Sequence, residues 1–273
     1  MATLQIHSRS ISLPARLHPV SPASFDHQVD LQISKSWQVS KTVTSEGIQS
    51  GLLGLAELYN SVQELAQPRR DLKSIEESLS GSVELLDSCT AIRELFQMIR
   101  ENVQTLQSAL RRKGLDSSVQ SDISSYFCFR KKMNKCVAKA LKALKNFESR
   151  NGDSGFDNVF REVAGVTVAI FRSILVFLSS PTTARSGGWS LVSRLVQAKP
   201  VAENGVENEV GSVDFALSSL QGKLRSNGDK AVEVQKRLQN LEAVVEGFEG
   251  GLERVFRQLV QSRVTLLNIL TDH

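Results

Sequence analysis

The 273-residue chain predicts an all-α fold, a bundle of long amphipathic helices, on three observations. Two tracts place apolar residues at alternating steps of four and three, the seam pattern of packed helices. A third tract, Val163 to Leu178, is almost unbroken apolar and ends just before Pro181, which suits a buried central helix. Between these lies a two-faced basic stretch with helical periodicity. With 41% hydrophobic residues and a net charge of +4, the chain is rich enough in apolar groups to bury a core and carries little charge overall. Residues 44–273 are expected to form a single helical domain, preceded by a flexible or docked segment over residues 1–43.

The N-terminal 25 residues hold Arg9, Arg16 and five serines, and the first acidic residue is Asp26. An organelle transit segment has this composition, and so does a solvated or docked N-terminus. An apolar signal-peptide core is missing, so no secretory signal is expected. Within the segment, Arg9-Ser10-Ile11-Ser12-Leu13-Pro14 has the form R-S-x-S-x-P. Phosphate on Ser12 would make it similar to the ligands of 14-3-3 proteins, with Arg9 and Pro14 as flanking determinants.

From Thr44 the apolar period becomes helical. Ile48, Leu52, Leu55, Tyr59, Val62 and Leu65 step by three or four until Pro68 stops the run. Ser74 with Glu77 forms a capping-box pattern for a short helix that Gly81 is expected to break. The first seam follows as Leu85, Cys89, Ile92, Phe96, Ile99, Val103, Leu106 and Leu110, and closes on Arg111, Arg112, Lys113 and Gly114. Cations in a last turn suit the negative end of the helix dipole, and glycine suits the position after it.

Residues 129–147 form the basic helix. Phe129, Met133, Cys136, Ala140, Leu144 and Phe147 gather on one side at about 100° per residue. Lys131, Lys132, Lys135, Lys139, Lys142 and Lys145 supply the opposite, basic interaction face, with Arg130 adding a seventh cation to the stretch and no acid between Asp122 and Glu148. Such a helix can lie on an anionic membrane surface, bind calmodulin through its spaced apolar anchors, or simply bury its apolar side and leave its lysines in water. Nucleic acid ranks last, because no aromatic residues interleave the lysines.

The run from Val163 to Leu178 is too short for a membrane span and holds Arg172. Pro200 to Ser212, with Glu203, Glu207 and Glu209, reads as an exposed acidic loop. The second seam then runs Val234, Leu238, Leu241, Val245, Phe248, Leu252, Val255 and Leu259, prolonged by Leu266 and Leu270. Two seams in one chain mean either a self-associating coiled coil or two long helices packed inside one bundle. Cysteine and phenylalanine at seam positions favour the bundle. Gly247, Gly250 and Gly251 interrupt the second seam, which points to a kink or a close helix crossing.

Residue scarcity bounds the chemistry. His7, His18 and His27 lie near the N-terminus and His273 is the last residue, so the body has no histidine for a catalytic triad or zinc site. Cys89, Cys128 and Cys136 form no CxxC pair and fit reduced thiols. No glycine-rich phosphate cradle occurs. No catalytic, cofactor-binding or metal-binding residue is therefore assigned, and no cofactor is expected.

Several segments resemble a known family. His7-Ser8-Arg9-Ser10-Ile11-Ser12-Leu13-Pro14, Gly81-Ser82 with Leu85-Leu86-Asp87, Arg111-Arg112 and Arg130-Lys131-Lys132 with Lys135 are similar to the plant-specific BYPASS-type proteins. Trp189-Ser190-Leu191-Val192 and Arg263-Val264-Thr265-Leu266-Leu267-Asn268-Ile269-Leu270 extend the resemblance over nearly the whole chain. It implies one continuous domain and a role in root and shoot development, and it carries no catalytic residue. The expected function is a non-enzymatic helical interaction protein in developmental signalling. Two alternatives are an enzyme or binder of small signalling metabolites without a recognisable motif, and a peripheral membrane or calmodulin-binding adaptor acting through the basic helix. The expected location is cytoplasmic, at a membrane surface where the basic helix acts, with the chloroplast as the alternative.

Overall fold

The computed structural model describes residues 22–40, 43–65, 72–113, 118–151, 158–179, 208–220 and 228–271, with no strand among them. Seven helices occupy these stretches: α1 (Pro22–Ser40), α2 (Ser45–Leu65), α3 (Leu72–Lys113), α4 (Val119–Asn151), α5 (Asn158–Leu178), α6 (Glu209–Leu220) and α7 (Gly228–Thr271). The all-α bundle read from the periodicity is the observed fold.

The two seams lie on α3 and α7 and face each other. Every seam position from Leu85 to Leu110 and from Val234 to Leu259 is buried. Pairings along the contact run in opposite directions. Arg93 pairs with Glu253 at 3.2 Å, Arg100 with Glu249, and Gln104 and Gln107 donate to the Glu242 carboxylate at 2.8 and 2.9 Å. As one number rises the other falls, so the helices are antiparallel partners within one chain. At the end where α3 starts, Arg263 donates to the Leu79 carbonyl at 2.6 Å and the Ser82 hydroxyl at 3.0 Å.

α4 and α5 pack on α3, α2 packs on α7 and α5, and α1 and α6 add to α2, α5 and α7. One continuous apolar core links all seven helices, from Ile33 on α1 to Leu259 on α7. A smaller cluster of Ile75, Leu79 and Leu266 closes one end. Thr44 starts α2 by accepting the Gly47 N–H on its hydroxyl at 3.2 Å and the Ile48 N–H on its carbonyl at 2.9 Å, which satisfies donors that a helix start leaves unpaired. α5 is the central buried helix. Its buried polar residues have partners: Thr167 meets the Tyr59 hydroxyl at 2.9 Å, and Ser173 donates to the Ser40 carbonyl at 2.7 Å. Arg172 pairs with Glu148 on α4. No helix among the described residues is long and apolar enough to cross a membrane.

Two boundaries depart from expectation. Gly81 does not break a short helix. It lies inside α3, which continues from Leu72 through the whole first seam. Because Ile75 and Leu79 reach a buried partner in Leu266, tertiary packing outweighs the propensity cost of about 1 kcal/mol for an interior glycine. The acidic loop expected over 200–212 ends early, since α6 begins at Glu209 and buries Val210 and Gly211. Asn208 caps this helix, accepting the Gly211 N–H at 2.9 Å, and residues 200–207 lie outside the described residues.

The glycines of the second seam have separate roles. α7 is unbroken through all of them. A Cβ at Gly251 would lie 2.9 Å from the Cβ of Leu52, so this glycine allows the close crossing of α2 and α7. A Cβ at Gly250 meets nothing within 4 Å. Opposite effects are therefore expected in urea denaturation. Gly250→Ala should raise stability by up to about 1 kcal/mol through helix propensity. Gly251→Ala should lower it, because the two backbones must move apart. Effects of the same sign would contradict a close crossing at Gly251.

Candidate functional site

α4 presents two faces with different fates. Val119, Ile123, Tyr126, Phe129, Met133, Val137, Leu141, Leu144 and Phe147 are buried against the core. Lys131, Lys132, Lys135, Lys139, Lys142 and Lys145 are all exposed. The structure thus brings the six lysines together on one solvent-facing stripe, and no ion pair joins any of them to a described residue. Elsewhere several arginines are matched with carboxylates, as in Arg93–Glu253, Arg150–Glu84 and Arg237–Glu233. Among the described residues the lysine stripe is a concentration of charge without carboxylate partners.

The apolar face differs in detail from the expected one. Cys136 is exposed and Ala140 only half-buried, whereas Val137 and Leu141 fill the core. The helix is rotated slightly from the expected division, because long branched side chains fill the space facing α3 and α5 better than cysteine or alanine.

Arg130 leaves the basic group altogether. At 2% exposure it is buried, and its guanidinium clasps Asp214 of α6. Nε lies 3.1 and 3.0 Å from the two carboxyl oxygens, and Nη2 lies 2.9 Å from Oδ2. Tyr126, one turn earlier, donates its hydroxyl to Asp214 Oδ1 at 2.9 Å. Arg130 Nη1 donates to the Leu178 carbonyl at 2.8 Å, while Asn208 donates to the Phe177 carbonyl at 2.8 Å. Two orphan carbonyls at the end of α5 are thereby satisfied, and a cation sits at the negative end of its dipole. The cluster ties α4, α5 and α6 together.

Burial pushes the Asp214 carboxyl above its ordinary range, while the charge of Arg130 and the hydrogen bonds from Arg130 and Tyr126 oppose that shift. Each partner of its two oxygens is a donor, which is the arrangement of a carboxylate. The Tyr126 phenol is raised well above its usual value, first by burial and then by the neighbouring Asp214 charge. These groups are packed on all sides and touch one another, so they act as a structural clasp. Sequence reasoning missed it, although the angular position of Arg130, four residues from Tyr126 and three from Met133, places it on the buried stripe.

The remaining features are simpler. Cys89 is buried on the first seam, and burial pushes its thiol up to about 12; Cys128 and Cys136 are exposed. A groove of about 200 Å³ between α3 and α4 is lined by Ala91, Ile92, Ala140 and Leu144 with Glu84 and Asp87. It is smaller than the roughly 300–1,000 Å³ typical of ligand pockets. Arg9, Ser12 and Pro14 of the phosphorylation motif lie outside the described residues, as do Gly114 and the Trp189 segment.

A family model described as Protein BPS1 matches residues 51–269 of the chain. No curated protein matches the chain, and no solved structure matches it.

Proposed function

The chain belongs to the Protein BPS1 family, and from that membership we propose that it is a non-enzymatic helical interaction protein in plant developmental signalling, in root and shoot. Its contact surface in this reading is the lysine face of α4, turned toward the anionic cytoplasmic leaflet of a membrane. One observation carries the choice: Lys131, Lys132, Lys135, Lys139, Lys142 and Lys145 form an exposed stripe without carboxylate partners among the described residues. A rigid row of cations attracts acidic lipid headgroups, each contributing about 1 kcal/mol near the surface.

Calmodulin fits less well. It takes a target helix by the apolar anchors, and in the folded chain Phe129, Met133, Leu144 and Phe147 are already in the core. The same burial favours contact by charge over insertion of the helix into the interface. A 14-3-3 protein reading phosphorylated Ser12 remains a separate partner in this proposal, since the motif stands apart from α4 in the chain.

The purified full-length chain should co-sediment with phosphatidylcholine vesicles only when phosphatidylserine is included, and raised salt should release it. Replacement of Lys131, Lys135 and Lys142 by glutamine should weaken this binding by roughly fivefold per lysine while helicity is unchanged. Equal recovery of the triple variant, or no recovery of the wild-type chain, would overturn the membrane reading.

A further inference from the structure

Cysteine is among the residue types most often fully buried, and Cys89 follows that rule at 0% exposure. Cys128 and Cys136 do not. Both are free, exposed and on α4, the helix of the lysine stripe. Cys128 lies one turn before Lys131 and Lys132, and Cys136 lies one turn after Lys132 and one turn before Lys139. Neighbours three or four positions apart share a helix face, so each thiol is flanked by two lysines. The two sulfur-bearing positions are eight apart in sequence, about 12 Å along the helix axis. At that separation they cannot bridge to each other, since a disulfide needs Cα atoms within about 7 Å. The pair therefore makes no intrachain cross-link and no chelate.

The geometry points to Cys128 and Cys136 as sites of reversible S-acylation by long-chain fatty acyl groups. The inference rests on the reading that this face of α4 lies against an anionic membrane, and it names the covalent signal that would hold it there. Once the lysines rest on headgroups, Cys128, within the stripe, faces the bilayer and Cys136, exposed at its edge, lies beside the headgroups, within reach of a membrane acyltransferase and its acyl-coenzyme A. The cysteine sulfur attacks the acyl carbonyl carbon. The new S–C bond forms as the thioester bond to coenzyme A breaks, and coenzyme A leaves as its thiol with the proton that the cysteine gave up. No net oxidation or reduction occurs, and hydrolysis by water returns the free thiol and a fatty acid. A single acyl chain alone anchors a protein marginally, whereas one chain with a polybasic patch anchors it stably. α4 supplies both on one face, which makes membrane residence switchable without any change in the fold.

The test uses the full-length chain expressed in plant cells. Free thiols are blocked, thioesters are cleaved with hydroxylamine, and the newly exposed thiols are captured. Capture is expected from the wild-type chain and from Cys89→Ser, and its loss from Cys128→Ser/Cys136→Ser, with the membrane-bound fraction of the double variant falling roughly tenfold. Unchanged helicity of the purified double variant separates this loss from misfolding. Absence of hydroxylamine-dependent capture, or equal capture from the double variant, overturns the inference. A modification removed by dithiothreitol but resistant to hydroxylamine overturns it too, because that identifies a disulfide to another molecule. The unacylated chain on phosphatidylserine vesicles tests the underlying reading separately: binding there without thioester capture in cells sinks the acylation alone.

Discussion

Phe248→Ala should lower the free energy of unfolding by about 3 to 5 kcal/mol, the range for a fully buried phenylalanine whose site cannot collapse. Phe248 on α7 is 0% exposed and touches two other rings. Its centroid lies 6.0 Å from that of Phe96 on α3 and 5.1 Å from that of Phe177 on α5, the latter close to edge-on. Truncation therefore opens a cavity where three helices meet, and aromatic contacts are lost with the buried area. The surrounding backbone is held by the antiparallel pairing of α3 and α7, including the Arg100–Glu249 ion pair one residue along α7, so relaxation into the gap is restricted. Phe215 on α6 provides the comparison, since it is 50% exposed. Its replacement by alanine should change stability by no more than about 0.5 kcal/mol. Urea denaturation of both variants is the measurement. A loss at Phe248 as small as that at Phe215 would mean that the three rings do not form one packed centre.

Phe96 and Phe248 were legible as core because both fall on heptad seams, where alternation of four- and three-residue steps leaves one face for burial. The long helices are the most readable part of this chain for the same reason: each seam repeats its signal over several turns, and one misplaced residue does not erase it. What lies at the ends of helices was less readable. Gly81 looked like a stop, since local propensity disfavours it, but Leu79 and Leu266 meet across the bundle and carry α3 through it. Glu209 looked like part of a loop because its neighbours in sequence are polar, yet the Asn208 cap turns the chain into α6 at that point. Such boundaries depend on contacts with distant segments.

The lysine face was legible in full, because six lysines at helical spacing with no acid among them admit few arrangements. Arg130 was not. Charge type alone placed it with the lysines, whereas its angle on the helix placed it with Tyr126 and Met133. Its partner, Asp214, sits 84 residues away on α6 and has no local signature, so only the fold brings the pair together.

Removing one member of that pair is the second large effect. Asp214→Leu should cost about 3 to 5 kcal/mol, because Arg130 is then left as an uncompensated charge in the core, where water cannot reach it. Arg130→Met should cost a similar amount by the reverse argument, and it also frees the Leu178 carbonyl at the end of α5. Tyr126→Phe removes one hydrogen bond to the carboxylate and should cost about 1.5 to 3 kcal/mol, since the acceptor is charged. The double variant Arg130→Met/Asp214→Leu should be more stable than either single variant, because two apolar side chains in the same space leave no buried charge. Chemical denaturation of wild type, Arg130→Met, Asp214→Leu and the double variant gives the coupling energy from the double-mutant cycle. Strong coupling is expected of a clasp whose role is to join α4, α5 and α6, with the double variant above either single variant but below wild type, because the Leu178 carbonyl and the Tyr126 hydroxyl lose their partners. Additive losses from the two single variants would mean that Arg130 and Asp214 act independently, and the clasp would then not be what holds these three helices.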